Sequence, residues 1–284
     1  MAVHKQSYRG YAGSLTPPAT RFLIVTRYAF QNVFKSKLIT ALFAGCFFYP
    51  LGCALAIYLN ATASLMSILK IRQAFEVGGS FFFHFLNAQG ALAFVLTALA
   101  GPGLVSPDLA NNALPLYFCR PFSRAEYVLG KMTVLVTLLS AITWIPGLTL
   151  FAIQAGLTAG WLRANFWIAG SIVLGSGIWI AVLCLLALAL SAWIKRKLAA
   201  GAALLGVFFF GAGLGQAINA VIGTRTGSLL NVGELIGSVE MSLFRIGSPT
   251  PVPSDLAWWA LGALCLSCLW LLERKVRPYE VVKG

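Results

Sequence analysis

The chain has 284 residues, 59% of them hydrophobic and 10% charged, where soluble domains carry roughly 25% charged side chains. Its 21 Lys and Arg against 8 Asp and Glu give a net charge of +13. So few charges on so apolar a chain exclude a soluble globular domain, and with it the exposed basic face a nucleic-acid binder needs. The expectation is an all-α integral membrane protein with no nucleic-acid partner.

Residues 1–37 read as a cytoplasmic arm ending in an interfacial helix. In RFLIVTRYAFQNVFKSK, residues 21–37, a rotation of about 100° per residue gathers Arg27, Gln31 and Lys35 into a narrow polar stripe. Phe22, Val25, Ala29, Phe30, Val33 and Phe34 fill the broad opposite side. A helix of that kind lies in the surface of a lipid bilayer. The basic arm, the apolar run after it and Ala61-Thr62-Ala63 together imitate a secretory signal. The run exceeds the roughly 7 to 15 residues of a signal core, so it reads as a permanent span.

Residues 38–284 read as a transmembrane domain with six apolar runs: 38–59, 86–105, 132–157, 166–193, 198–222 and 256–272. Each can cross a hydrocarbon core of about 30 Å as a helix, and their continuity, without alternation, excludes a barrel. With both termini inside, 16 of the 21 basic residues fall on the cytoplasmic side. Lys70, Arg72, Arg163, Arg225 and Arg245 fall outside. This asymmetry is what the positive-inside rule requires of a multi-pass protein of the cytoplasmic (inner) membrane, and the positive charge faces anionic lipid and a cytoplasmic partner.

Outside, the sizeable segments are 60–85 and 223–255. Phe81 to Phe85, FFFHF, read as an aromatic belt at the interface with His84 as its polar handle. The segment 223–255 has apolar residues at helical spacing and then Pro249, Pro251 and Pro253. It reads as short amphipathic helices dipping into the outer interface.

Inside, SPDLANNALPLYFCRPFSRAEYVLGKM, residues 106–132, is organised by its punctuation. Ser106 is placed to cap a short helix, with Pro107 at its first position, Asp108 in its first turn and Pro115 at its end. Ser123 and Glu126 form an S-x-x-E capping box at the start of the third run. Two helix starts and three prolines exceed what a plain tether needs, so this loop reads as a docking element.

The runs themselves contain no Asp, Glu, Lys or Arg. Ion-coupled carriers place such groups near the midplane, so the energy for transport is expected to come from elsewhere. The chain has no phosphate-binding G-x-x-x-x-G-K-[ST]; Gly130-Lys131 is followed by Met132. No Asp, His and Cys constellation marks an enzyme, and no metal site is expected. Cys265 and Cys268 have redox spacing in an apolar helix without a basic neighbour, so packing is their expected role, with no disulfide. In GAGLG, Gly211 and Gly215 are expected to permit close helix packing. Pro146-Gly147 reads as a kink in the third run.

At the inner loop the sequence resembles the ABC-2 type permeases, the membrane subunits of ATP-driven transporters. Their usual pattern is an acidic residue and Thr-Leu before an Arg-Pro, Ser-Arg and Gly-Lys series. The chain has Asp108, Leu114, Arg120, Pro121, Ser123, Arg124, Gly130 and Lys131, with Ala113 where a Gly-Thr type pair is frequent. The layout is similar too: interfacial helix, six spans, coupling helix after span two, outer amphipathic segment before span six. The resemblance implies a permease subunit for export that binds no cofactor itself, with ATP and Mg on separate cytoplasmic ATPase subunits. Docking would use the loop 106–131, through Asp108, Asn111, Asn112, Leu114, Pro115, Arg120, Pro121, Ser123 and Arg124. A second permease copy, identical or related, would complete the substrate path. The alternative is a non-transporting membrane scaffold that uses the same loop to hold a cytoplasmic partner.

Overall fold

The computed structural model describes residues 17, 20–62, 76–119, 123–223, 225–247 and 252–275, and among these every regular element is helical. Six helical stretches are long and apolar enough to cross a membrane: Lys37–Ala61, Gly79–Ala110, Arg124–Leu157, Trp161–Trp193, Lys197–Ile222 and Ser254–Lys275. The protein is therefore a multi-pass helical membrane protein. Spans 2 and 4 begin earlier than hydropathy alone suggests, because Gly79 to Phe85 and Trp161 to Asn165 continue the helices outward.

Two of the spans are broken one turn before a proline. Span 1 consists of α2 (Lys37–Gly45) and α3 (Phe48–Ala61). Pro50 has no N–H to give the Cys46 carbonyl. The buried Gln89 of α4 (Gly79–Ala100) donates its Nε2 to that carbonyl at 3.1 Å. Span 3 divides at Thr143 into α7 (Arg124–Ile142) and α8 (Trp144–Leu157), just before Pro146. Beside it, a Cβ on Gly147 would lie 2.9 Å from the Ile172 side chain, so glycine lets span 4 pass close to the break.

Span 2 ends in α5 (Pro102–Ala110), and here the expected cap is absent. Ser106 is fully buried within the helix. Its N–H donates to Ser191 Oγ at 2.9 Å, and Ser191 Oγ donates to the Pro102 carbonyl at 3.1 Å. Ser191 lies in α9 (Trp161–Trp193), so a hydroxyl from span 4 bridges two groups that an α-helix would join directly. Ser106 Oγ in turn donates to the Ile194 carbonyl at 2.7 Å, satisfying one of the orphan acceptors at the end of span 4. The residues that looked like a helix start are a clamp between two spans. Pro115 likewise opens a helix, α6 (Leu114–Phe118), rather than ending one.

Spans 2, 3 and 4 form the buried centre, while spans 1, 5 and 6 expose most of their apolar surface. One core runs along the centre to the end bearing α5 and α6. A second, at the opposite end, gathers Ile57, Phe82, Phe83, Phe85, Phe151, Ile172 and Phe244. This corrects the aromatic-belt reading of FFFHF. Phe82, Phe83 and Phe85 pack inside, and only His84 is exposed.

The segment after span 5 also turns inward. A 3-10 helix over Thr226–Leu230 lies along α10 (Lys197–Ile222). A Cβ on Gly211 would come within 2.6 Å of the Leu230 carbonyl, and one on Gly215 within 2.5 Å of the Gly227 carbonyl. Gly211 and Gly215 thus admit the chain's own backbone. Asn219, one turn further, accepts from Gly227 N at 2.8 Å and donates to Ser228 Oγ at 2.9 Å. Next, α11 (Val232–Leu243) is capped by Asn231, whose Oδ1 accepts from the N–H groups of Gly233 and Glu234. It packs against α9, α10 and α12 (Ser254–Lys275), burying Leu235, Ile236, Val239 and Glu240. The bundle interior is therefore not free of ionisable groups, since Glu240 enters it from a segment that hydropathy places outside the spans.

Candidate functional site

The loop after span 2 is built on one acid. Asp108, in the last turn of α5, meets Lys131 of α7 at 2.9 Å between Nζ and Oδ2. Tyr127, one turn earlier on α7, donates its hydroxyl to the same oxygen at 2.7 Å. The spacing i, i+4 puts Tyr127 and Lys131 on one helix face, and Lys131 Nζ also sits 5.6 Å from the Tyr127 ring centroid. Lys131 is 8% exposed and Asp108 18%, so the pair is held largely out of water, where removing either partner is costly.

Around this brace the polypeptide makes its turn. Asn112 takes φ of 50°, a left-handed conformation that asparagine tolerates better than most residues, and it reverses the chain into α6. Leu114, the first residue of α6, is buried, while Asn111, Asn112, Pro115 and Leu116 are exposed. The ring of Tyr117 lies 5.3 Å from that of Tyr127. Burial first, and then the nearby Asp108 carboxylate, raise the Tyr117 phenol above its ordinary value. The re-entry is the capping box read from sequence. Glu126 N donates to Ser123 Oγ at 3.2 Å, and Ser123 N donates to Glu126 Oε2 at 2.6 Å. Ser123 and Arg124 are exposed. Arg120 and Pro121 lie outside the described residues.

The arm helix α1 (Arg21–Phe34) is fixed to the same end. Thr26 Oγ1 donates to the Gly130 carbonyl at 2.9 Å, and a Cβ on Gly130 would lie 2.9 Å from the Phe22 carbonyl. Glycine at 130 is therefore what lets α1 cross α7. The contact redistributes the faces expected of α1. Thr26, Ala29 and Val33 are buried against the bundle, and Arg27, Gln31 and Lys35 are exposed among Leu23, Ile24 and Tyr28.

Of the residues singled out in the loop, the structure gathers Asp108 and Leu114 into a packed brace and leaves Asn111, Asn112, Pro115, Ser123 and Arg124 on the surface. Gly211 and Gly215 belong to span 5 and its 3-10 segment. Sequence reasoning did not pair Asp108 with Lys131 and Tyr127. The signal available was the i, i+4 spacing of a Tyr and a Lys downstream of a lone acid. Among the described residues no group of three or more His, Cys, Asp or Glu side chains could hold a metal ion, and all six cysteines are free thiols.

What the fold and this loop define is a class: a six-span helical membrane protein with a braced loop between spans 2 and 3. No protein-family model matches the chain, and no curated protein sequence matches it.

Proposed function

We propose that the chain is the permease subunit of an ABC transporter. In this reading it works in export from the inner membrane, both termini are cytoplasmic, and a second permease copy completes the substrate path. ATP and Mg sit on separate ATPase subunits that dock on the loop 106–131, and α1 lies at the bilayer surface. The observation that carries the reading is the construction of that loop. Asp108, Lys131 and Tyr127 lock α5 to α7, and the Ser106 and Ser191 hydroxyls lock α5 to α9. An exposed patch of Asn111, Asn112, Leu116 and Arg124 is therefore held stiffly on three spans at once. A stiff, surface-presented element joined to several spans is what a coupling device needs if a partner's movement is to reach the membrane path.

The test is co-purification with a candidate ATPase and measurement of its ATP turnover. Arg120→Glu with Arg124→Glu is expected to release the ATPase while the spans stay inserted. A complex that survives this double reversal at moderate salt with full turnover overturns the docking reading. A complex that forms but whose turnover ignores both permease and substrate supports the scaffold alternative. Sidedness is tested in a background without native cysteines. Thr226→Cys should react with an impermeant thiol reagent from outside and Arg196→Cys should not.

A further inference from the structure

A second site lies apart from the loop's brace, among residues well inside the lengths of α4, α9 and α10. A cavity of about 210 Å³ opens between α4, α9, α10 and α11. Its walls include Phe94, Trp179 and Phe208, with Gly237 and Glu240 contributed by α11. Phe208 touches both of the other rings, with its centroid 4.5 Å from that of Phe94 and 5.8 Å, edge to face, from that of Trp179. Trp179 is fixed by its Nε1, which donates to the Gly90 carbonyl at 3.0 Å. Asn87, Ala91 and Gly233 on the rim are exposed, so the cavity opens to the surface there.

Glu240 is the anomaly. It is 6% exposed, and among the described residues the one ion pair is that of Lys131 with Asp108, far from it in the fold. No Lys, Arg or His lines the cavity, and the only other polar side chain apart from the Trp179 indole is Asn87. A buried carboxylate without a countercharge is costly. The aromatic faces beside it attract cations and not anions. One carboxyl and one amide on otherwise apolar walls are too few oxygens for a metal ion, which would need several. A ligand that suits these walls carries a positive charge on a small apolar body.

We propose that this cavity binds a small organic amine as its ammonium ion, with Glu240 as counter-ion and Phe94, Trp179 and Phe208 packed against its apolar part. The volume suits a body of roughly ten non-hydrogen atoms. Burial pushes the Glu240 carboxyl up to about 8, so near neutral pH the incoming ammonium ion takes the place of a proton on Glu240, which leaves to solvent. The inference stands apart from the transport reading, because binding is a property of this chain alone.

The experiment uses the full chain in phosphatidylcholine nanodiscs, with 2-phenylethylamine as probe and 2-phenylethanol as its uncharged counterpart, titrated by calorimetry at pH 7 in buffers of different ionisation enthalpy. Wild type should bind the amine saturably, release a proton on binding, and bind the alcohol at least tenfold more weakly. Glu240→Gln should weaken amine binding at least fivefold and abolish the proton release. Gly237→Leu tests the location with Glu240 intact, since a Cβ there meets no atom within 4 Å and the side chain would fill the cavity. It should lose binding while eluting as wild type in size-exclusion chromatography. No saturable binding to wild type, a loss below fivefold in Glu240→Gln, equal binding of the alcohol, or retained binding in Gly237→Leu overturns the proposal.

Discussion

Two acids, a half-buried one in the brace between spans 2 and 3 and a buried one in the α11 segment before span 6, are treated in opposite ways. Asp108 has a lysine and a tyrosine on a single carboxylate oxygen. Glu240 has apolar walls and no cation within reach among the described residues. A satisfied acid is a joint, because its geometry is over-determined by partners on another helix. An unsatisfied one costs stability, and a fold that retains it keeps a group whose charge can still change. The comparison separates structural ionisable groups from responsive ones within one bundle.

The largest effect should come from breaking the joint. Lys131→Met leaves the half-buried Asp108 carboxylate beside one hydroxyl, and a loss of roughly 3 kcal/mol is expected, at the low end for a buried pair. In a chain of this size that should lower the thermal midpoint in detergent by roughly 10 °C. Asp108→Asn combined with Lys131→Met should recover most of the loss. A single substitution as mild as the double one would show that the pair is not a joint.

Glu240→Gln probes the other acid and should act with the opposite sign. Its folded value, about 8, lies above the ordinary 4.5, so the fold favours the protonated form. The stability of that form is fully present below pH 4.5 and is lost as pH rises through about 8. Glutamine imitates the neutral acid at every pH. The variant should therefore match wild type near pH 4 and exceed it by several degrees at pH 8.5, read as thermal midpoints across that range. Parallel midpoint curves for the two proteins would remove Glu240 from the responsive class.

A third, smaller effect tests how α11 is brought inward. Gly215→Ala places a Cβ against the Gly227 carbonyl, where both neighbours are backbone and cannot rotate away. A cost of roughly 2 kcal/mol is expected, with faster amide exchange over residues 226–243 as the readout. The smallest change should be Ser123→Ala, which removes one half of the capping box on an exposed turn. It should cost about 1 kcal/mol and fray the first turn of α7 without disturbing the pair of Asp108 and Lys131.

The membrane class, the six spans and the Ser123 capping box were legible because each is written within a short window of sequence. Ser106 and Pro107 were misread for an identifiable reason. The same residues that start a helix can sit inside one when a hydroxyl from a distant span, here Ser191, bridges the groups around the proline. Phe82 to Phe85 were misread because lipid and protein interior are equally apolar to a hydropathy pattern. Glu240 was out of reach because the amphipathic pattern of α11 suits a bilayer surface as well as a protein one. What decides between them is the glycine seam of Gly211 and Gly215, whose occupant is chosen by tertiary packing. The pairing of Asp108 with Lys131 and Tyr127 joins residues about twenty positions apart across a turn, beyond any local periodicity.

The Ser191 hydroxyl has a mechanical meaning. Because it is spliced into the hydrogen-bonding of span 2 while Ser106 holds the Ile194 carbonyl at the end of span 4, neither helix can slide along the other by even a fraction of a turn without breaking several bonds together. A push on the exposed turn at Asn111 and Asn112 would therefore be delivered to spans 2 and 4 as one tilting body, with the proline breaks in spans 1 and 3 left as the places where the bundle can bend.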